Sequence, residues 1–522
     1  MQNARILILD DDEQWITTFR QVLQDKVARI DSAQSLAEAI DLIDQRYFNV
    51  AIVDLRLNND DPSDDSGMDF LAAVQERGLG DVLAPIMCTA FGNLTNAIEA
   101  LRDFHVIDFI NKGSFKEESL LLAVNKAVER QHRGLAVQIE LEGDGPLAGL
   151  WAGKEWAQRE DPDELAAELR DLLCRLFPRA DHLWIRPLTA GQSGAGILEV
   201  EPTYGAAAGE IDIVKFGKRD TIRREVDNYV ESVELFVSNQ STTRVESTHG
   251  RVMGAIRYRL IGGGYGRAES LAEYCRRHDI TDICSVLDNL FSVTCRRWYD
   301  NREQPRRYRN LVTLYTEGLH IRWPEVWSAA ARCGVDVTGP KLAFPGIAGE
   351  FTNPHHWLEE RKHICSQRVW LAITHGDLNA FNVLVSPDQH CWLIDFYRTG
   401  KGHILRDFVE LETAFKFSLV SLESYAERVE FEQLLLQQKS LKEGLAVDSS
   451  TTYARAAHII SHLRSLAGEV LGLEREMEEY QVALLLQTLK LLSLDFLHAE
   501  ERSRGHVLLA AAIICSKLEK LG

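Results

Sequence analysis

The chain of 522 residues lacks an excess of basic charge, cysteines at metal-binding spacing and any apolar run long enough to cross a bilayer. Its 58 Lys and Arg stand against 78 Asp and Glu, a net charge of −20. That excludes a protein built mainly to hold nucleic-acid phosphates, although a local basic patch stays open. Nine cysteines are scattered, with no Cys-x-x-Cys pair and no Cys/His cluster. A small disulfide scaffold and a zinc module are therefore excluded, and reduced thiols in apolar cores are expected. The strongly apolar stretch 507–515 is too short to span a membrane. The opening residues read as a charged strand and not as a signal peptide. A soluble, cytoplasmic chain is the expectation. There is no internal repeat and no low-complexity tract. What is present is ordinary globular composition, 45% apolar and 26% charged, and a length that predicts roughly three to four domains.

The acidity is uneven. Residues 1–130 hold 12 Lys and Arg against 23 Asp and Glu, a net of −11 and more than half of the whole excess. Within them the apolar run 4–9 ends in Asp10, Asp11 and Asp12. Helical patterns follow over 15–23 and 36–45. The run 50–53 ends in Asp54, the run 84–88 ends in Thr89, and a short strand over 106–110 ends near Lys112. Alternating strands and helices predict a doubly wound sheet, whose ligands gather beyond the strand C-termini. Asp10, Asp11, Asp54, Thr89 and Lys112 then share one crevice. Clustered carboxylates repel one another and suit a hard cation such as Mg²⁺. A carboxylate can attack phosphorus to give an acyl phosphate, which a Lys and a hydroxyl can hold.

These strand-end residues resemble those of the response regulator receiver domain. The resemblance implies that Asp54 is the phosphoacceptor and that Mg²⁺ is held at Asp10, Asp11 and Asp54, directly or through water. It further implies that Thr89 and Lys112 contact the phosphoryl group and that Phe109 is the switch aromatic. Two features depart from the family: a long acidic loop over 56–67, and Gly113 where Pro usually follows the Lys.

Residues 131–185 read as a linker with connector helices. Gly143-Asp144-Gly145-Pro146 is turn chemistry. Residues 163–176 carry helical periodicity, which fits either a signalling or dimerisation helix or one packed on the next domain.

A glycine-rich turn over 188–196 precedes an alternating strand, and glycines let backbone amides approach a phosphate chain. The strand over 210–216 carries Lys215, which needs an anionic partner when buried. Glu225, on the following helix, is a candidate partner, in a site or in an ordinary surface salt bridge. Ile261 to Gly264 reads as a hinge. Further on, an apolar run over 370–373 leads into Thr374-His375-Gly376-Asp377-Leu378-Asn379-Ala380-Phe381-Asn382, and the strand 391–394 leads into Asp395-Phe396-Tyr397. Phosphoryl transfer needs a carboxylate to orient the nucleophile and two further groups to hold Mg²⁺ on the triphosphate.

This set resembles the kinase-like fold in its aminoglycoside phosphotransferase and choline-kinase branch, and a receiver-linked, ternary-complex-associated family. The resemblance spans about 186–412. It implies Asp377 as catalytic base, with Asn382 and Asp395 as Mg²⁺ ligands. Lys215 would bind ATP phosphates, Glu225 would orient Lys215, and Gly191, Ser193, Gly194 and Gly196 would cover the nucleotide. His375 and Asp407 would be structural, Asp407 bracing the catalytic loop. Tyr397 stands where protein kinases usually carry Gly, and the Lys215–Glu225 spacing is shorter than a kinase-like fold leads one to expect.

The expected architecture is an α/β doubly wound receiver with a five-stranded parallel sheet (1–130) and a connector (131–185). A bilobal α+β kinase-like fold follows: an N-lobe (186–265), a largely helical C-lobe with an insert (266–420), and a C-terminal helical region (421–522). The insert over 280–370 is rich in Trp and Arg, a composition of substrate contacts or of an ordinary helical subdomain. The expected function is a two-component response regulator controlling an ATP- and Mg²⁺-dependent phosphotransferase that acts on a hydroxyl acceptor. Alternatives are a receiver-controlled pseudokinase scaffold and a small-molecule kinase. Expected partners are a sensor histidine kinase or phosphotransfer protein and a protein or metabolite acceptor, with a homodimer as a further expectation and neither membrane nor nucleic acid among them.

Overall fold

Side chains alternate across a strand, and in the first strand both alternating sets are apolar. In the computed structural model of the protein this run forms β1 (Arg5–Leu9), buried on both faces. Leu7 and Leu9 enter one core layer with Ala51, Val53 and Met87. Ile6 and Ile8 enter the opposite layer with Val50, Ile52, Ile86 and Cys88. Two-sided burial is the signature of a parallel sheet covered by helices. The structure describes residues 3–520 except 59–60, 62–63, 91–101, 131–136, 144–146, 153, 189–194, 237–241, 262–267, 306, 364, 473–476 and 495–500. The glycines of the expected hinge lie outside the described residues.

The receiver comprises β1, α1 (Glu13–Leu23), β2 (Arg29–Ala33), α2 (Leu36–Gln45), β3 (Val50–Val53), α3 (Ser66–Glu76), β4 (Ala84–Thr89), β5 (Asp108–Asn111) and α4 (Glu117–Arg130). Its sheet is parallel, in the order β2-β1-β3-β4-β5. The order reverses beside β1 and β3, where such sheets bind ligands. Helix α1 begins two residues before the sequence pattern suggests, because the Asp12 carboxylate accepts the Gln14 amide at 2.8 Å and caps it.

The chain divides into two units, Met1–Arg223 with Val245–Tyr258, and Arg224–Arg244 with Arg259–Gly522. Besides the receiver, the first unit carries most of a seven-stranded sheet. Its order is β11 (Thr242–His249), β12 (Met253–Ile261), β10 (Asp212–Lys218), β8 (Gly196–Tyr204), β7 (His182–Leu188) and β6 (Gln138–Leu141), with β9 (Ala207–Ala208) on β8. The segment expected to be a connector is therefore built into this sheet: β6 pairs in parallel with β7. Its helix α5 (Pro162–Leu176) buries Leu165, Leu169, Leu172, Leu173 and Leu176 against Leu183, Leu198, Val214 and Met253. The apolar stripe found its partner in the next sheet, so of the two readings for this helix packing on a neighbour is the one observed.

The polar side of α5 meets the receiver at the N-terminal ends of its strands. Glu164 accepts from Arg5 Nη2 at 2.5 Å, Arg29 Nη1 at 2.6 Å and the Tyr47 amide at 2.8 Å. The Tyr47 hydroxyl donates to Asp171 at 2.5 Å. Arg219, which opens helix α6 (Arg219–Ser232), donates to the carbonyls of Arg77 and Gly78 at 3.1 and 2.8 Å. A buried carboxylate taken from water is costly unless paired and hydrogen-bonded, and Glu164 is both.

The second unit is mainly helical. Its strands Val383–Val385 and Cys391–Leu393 form an antiparallel ladder, and Leu371–Thr374 pairs with Gly400–His403. The helix Arg406–Ser418 is buried along most of its length. Glu412 on it accepts two bonds from Arg464 at 2.8 and 2.6 Å and one from the Tyr480 hydroxyl at 2.6 Å. Lys416 donates to Glu432 at 2.6 Å. The residues beyond 420 thus complete the body of this unit and are not an appendage to it. Among the described residues no helix is long and apolar enough to cross a membrane.

Candidate functional site

In the receiver, β1 delivers Asp10 and Asp11 and β3 delivers Asp54, whose amide is tied to the Leu9 carbonyl at 2.8 Å. Carboxylate oxygens of the three residues all lie within 4.8 Å of one another. Lys112, just past β5, closes the pocket: its Nζ donates to Asp54 Oδ2 at 2.5 Å and sits 2.7 Å from Asp10 Oδ2. The Trp15 ring covers that Nζ at 5.5 Å from its centroid. Burial pushes Asp10 up to about 6, against the pull of Lys112 and reinforced by Asp54. Three carboxylates facing one ammonium leave the pocket short of positive charge, and an all-oxygen donor set fits Mg²⁺. The Phe109 ring is half-buried and packs on one core layer. Thr89 ends β4, and its side chain lies outside the described residues.

The long loop after Asp54 is organised by one residue. Asp64 accepts from the amides of Leu57 and Asn58 at 2.6 and 2.7 Å, from the Ser66 amide at 3.1 Å, and from the Ser66 hydroxyl. Burial opposes ionisation there, but these donors together hold the carboxyl below its ordinary range. Gly67 follows because a Cβ at that position would stand 2.2 Å from the Asp54 carbonyl oxygen. Gly113 stands in a short turn, its amide donating to Asn111 Oδ1 at 2.7 Å.

In the second unit one loop and one ladder gather Asp377, Asn382 and Asp395 among the other expected residues. Asp407 is fully buried and accepts from the amides of His375 and Gly376, both at 3.0 Å, and from the Tyr299 hydroxyl at 3.1 Å. His375 Nε2 lies 3.0 Å from the Ile394 carbonyl. Asn382 Nδ2 donates to the Asp377 carbonyl at 2.8 Å, and the Ile394 amide donates to the Asn382 carbonyl at 3.1 Å. Asn382 and Asp395 are thus brought to the same end of the ladder. Asp395 takes a left-handed backbone, φ 69°. The turn it opens is held by Glu225, whose Oε1 accepts the Phe396 amide at 3.0 Å, and by Asn228, which donates to the Tyr397 carbonyl at 2.6 Å. Tyr397 lies under Arg224, 4.8 Å from the guanidinium carbon to the ring centroid.

Asp377 is half-buried. Burial alone would raise its carboxyl, but Lys490, Arg398, His375 and Arg406 together hold it below the usual range. Lys490 stands 4.0 Å from Asp377 Oδ1 and donates to Glu410 at 3.1 Å. Neither Lys490 nor Glu410 was among the expected residues. Lys490 comes from the helix Met477–Leu491, far along the chain, and no local motif marks it.

Of the expected nucleotide-binding residues, Gly191, Ser193 and Gly194 lie outside the described residues. Gly196 opens β8, where a Cβ would meet the Phe216 ring at 2.2 Å. Lys215 is 1% exposed in β10, between Ile197 of β8 and Ile256 of β12.

A model of the response regulator receiver domain matches residues 6–125. One of the ternary complex associated domain 9 matches 181–336 and 346–493, together more than half of the chain. The acid tolerance regulatory protein ActR of Rhizobium meliloti (strain 1021) is 29% identical over 125 residues, 24% of this chain and 60% of its own length. The alginate biosynthesis transcriptional regulatory protein AlgB of Pseudomonas aeruginosa is 27% identical over 148 residues, 28% of this chain and 31% of its own length. The chain thus spans less than two thirds of either relative. Two solved structures match the same stretch. A CheY-like receiver domain protein from Methanospirillum hungatei JF-1 is 26% identical over 24% of this chain and 95% of its own, with TM-score 0.22. The non-phosphorylated HemR receiver domain from Leptospira biflexa is 26% identical over 24% and 94%, with TM-score 0.21. A receiver domain implies a phosphodonor such as a histidine kinase. With its carboxylate pocket and its matched second half, the chain belongs to the ternary complex associated domain 9 family and carries a response regulator receiver domain ahead of that domain.

Proposed function

We propose that phosphorylation of Asp54 in this protein controls an ATP- and Mg²⁺-dependent phosphotransferase formed by the second domain. Asp54 attacks the phosphoryl group of a phosphohistidine donor; a P–O bond forms, the P–N bond breaks, and the donor imidazole takes a proton. Lys112 then moves its hydrogen bond to the phosphoryl oxygens. Asp10, Asp11 and Asp54 would hold Mg²⁺, which supplies charge neutralisation at the phosphoryl oxygens.

In the second domain Asp377 orients the acceptor hydroxyl and takes its proton. The acceptor oxygen bonds to the γ-phosphorus as the bridge to the β-phosphate breaks, releasing ADP. Asn382 and Asp395 would hold Mg²⁺ on the triphosphate. The observation that carries this reading is the Asp407 brace, which fixes the two amides leading into Asp377 beside Asn382 and Asp395. An ionised Asp377 at neutral pH suits the role of base.

The test is label transfer from γ-³²P-ATP by the wild type and by Asp377→Ala, with and without beryllofluoride. Loss of transfer in the variant is expected, with a change of rate on adding the acyl-phosphate mimic. Equal label from both proteins would leave a nucleotide-binding scaffold.

A further inference from the structure

Beneath the catalytic loop lies a cavity of about 280 Å³, walled by Leu314, Gly318, Leu319, Lys401 and Arg406, with Glu317 exposed at its edge. Arg406 is 5% exposed. Its Nη2 donates to the carbonyls of Gly318 and Gly376 at 3.0 and 2.7 Å, while its Nε donates to no described residue. Two carboxylates act on its charge without a hydrogen bond to it: Asp407 accepts the loop amides, and Glu410 accepts from Lys490 through Oε1. Tyr315 and His403, also in the wall, bond to each other at 3.1 Å, and His403 to Glu479 at 2.8 Å. At Gly376, with φ 79°, a Cβ would stand 2.3 Å from the Arg398 carbonyl oxygen and 2.7 Å from Nη2, whereas at Gly402 and Gly318 it would be in ordinary contact with Nη1, at 3.4 and 3.5 Å.

A cation this deeply buried is costly until an anion meets it. The edge of a guanidinium takes a carboxylate or phosphate through paired N–H groups. We propose that this pocket binds a small ligand carrying an oxyanion, a carboxylate or a phosphate ester, on Arg406. The volume admits a compact metabolite and not a large one. Arg406 also holds the carbonyl just before Asp377, so occupancy acts directly on the loop that carries the catalytic carboxylate. The inference goes beyond the phosphotransferase reading and does not need it.

Calorimetry on the full chain, without Mg²⁺ and in an Asp54→Ala background, tests it with inorganic phosphate and acetate as probes. Gly318→Leu fills the pocket while keeping the backbone carbonyl that Arg406 uses, and Arg406→Met removes the cation. Saturable binding of either probe is expected, at least tenfold weaker in Gly318→Leu and absent in Arg406→Met. Phosphate alone, or acetate alone, identifies the source of the oxyanion. No binding by the parent protein, or equal binding by Gly318→Leu, overturns the proposal. An unchanged melting temperature of unliganded Gly318→Leu separates loss of binding from loss of fold.

Discussion

The receiver pocket and the Asp377 loop each set a lysine against carboxylates, in two different ways. In the receiver Lys112 bonds Asp54 directly and bridges to Asp10, so the Asp54 carboxylate is clamped. In the second domain Lys490 bonds Glu410 and only approaches Asp377, at 4.0 Å. A lysine that bonds a carboxylate stores it. One that stands off tunes its charge without occupying it.

The comparison breaks most completely at Asp54. Asp54→Asn is expected to abolish the labile adduct formed with acetyl phosphate, read by intact-protein mass spectrometry, while label transfer by the second domain persists at its unstimulated rate.

Next in size is Lys490→Met, which leaves Glu410 buried without its partner. Removing one member of a buried pair costs roughly 3–5 kcal/mol. Chemical denaturation should show that loss, and Lys490→Met with Glu410→Met should recover most of it. Recovery of stability without recovery of transfer would assign Lys490 to the tuning of Asp377.

A third carboxylate sits at neither pocket. Glu168 on α5 is fully buried, accepts from the amides of Val252 and Met253 at 2.8 Å each, and is pushed by burial up to about 7. Its proton is bound more tightly in the folded chain than in the unfolded one. Stability should therefore fall as pH rises from about 4.5 to about 7, by on the order of 3 kcal/mol. Glu168→Gln should flatten that slope in melts run across the window.

The smallest effect is expected at Asp64. Its carboxyl is held low, so its stabilising bonds are present above the ordinary carboxylate range and lost as pH falls below it. Asp64→Ala should cost about 1 kcal/mol through lost caps of the loop amides, measured at neutral pH.

The receiver was legible because its chemistry sits at strand ends, where a run of apolar residues stops at Asp10, Asp54 or Thr89. The stretch 374–382 was legible because neighbours in sequence are neighbours in the loop. Lys490, Glu410 and the bidentate Arg464–Glu412 pair were not, since helical periodicity marks charged positions as solvent-facing and these are buried. The strand β6 was missed because its parallel partner β7 begins some forty residues later, across α5. In the same way, nothing near Glu164 in the sequence announces Arg5, Arg29 and Tyr47.

The backbone of Asp395 constrains how its role can be dissected. A residue with φ near +69° sits where most side chains meet the following carbonyl, at a penalty of roughly 1–2 kcal/mol that Asn and Asp escape best. An alanine there would twist the Phe396 turn away from Glu225 as well as delete the carboxylate. Asn removes the negative charge and keeps the turn, which makes it the cleaner probe of what that carboxylate contributes.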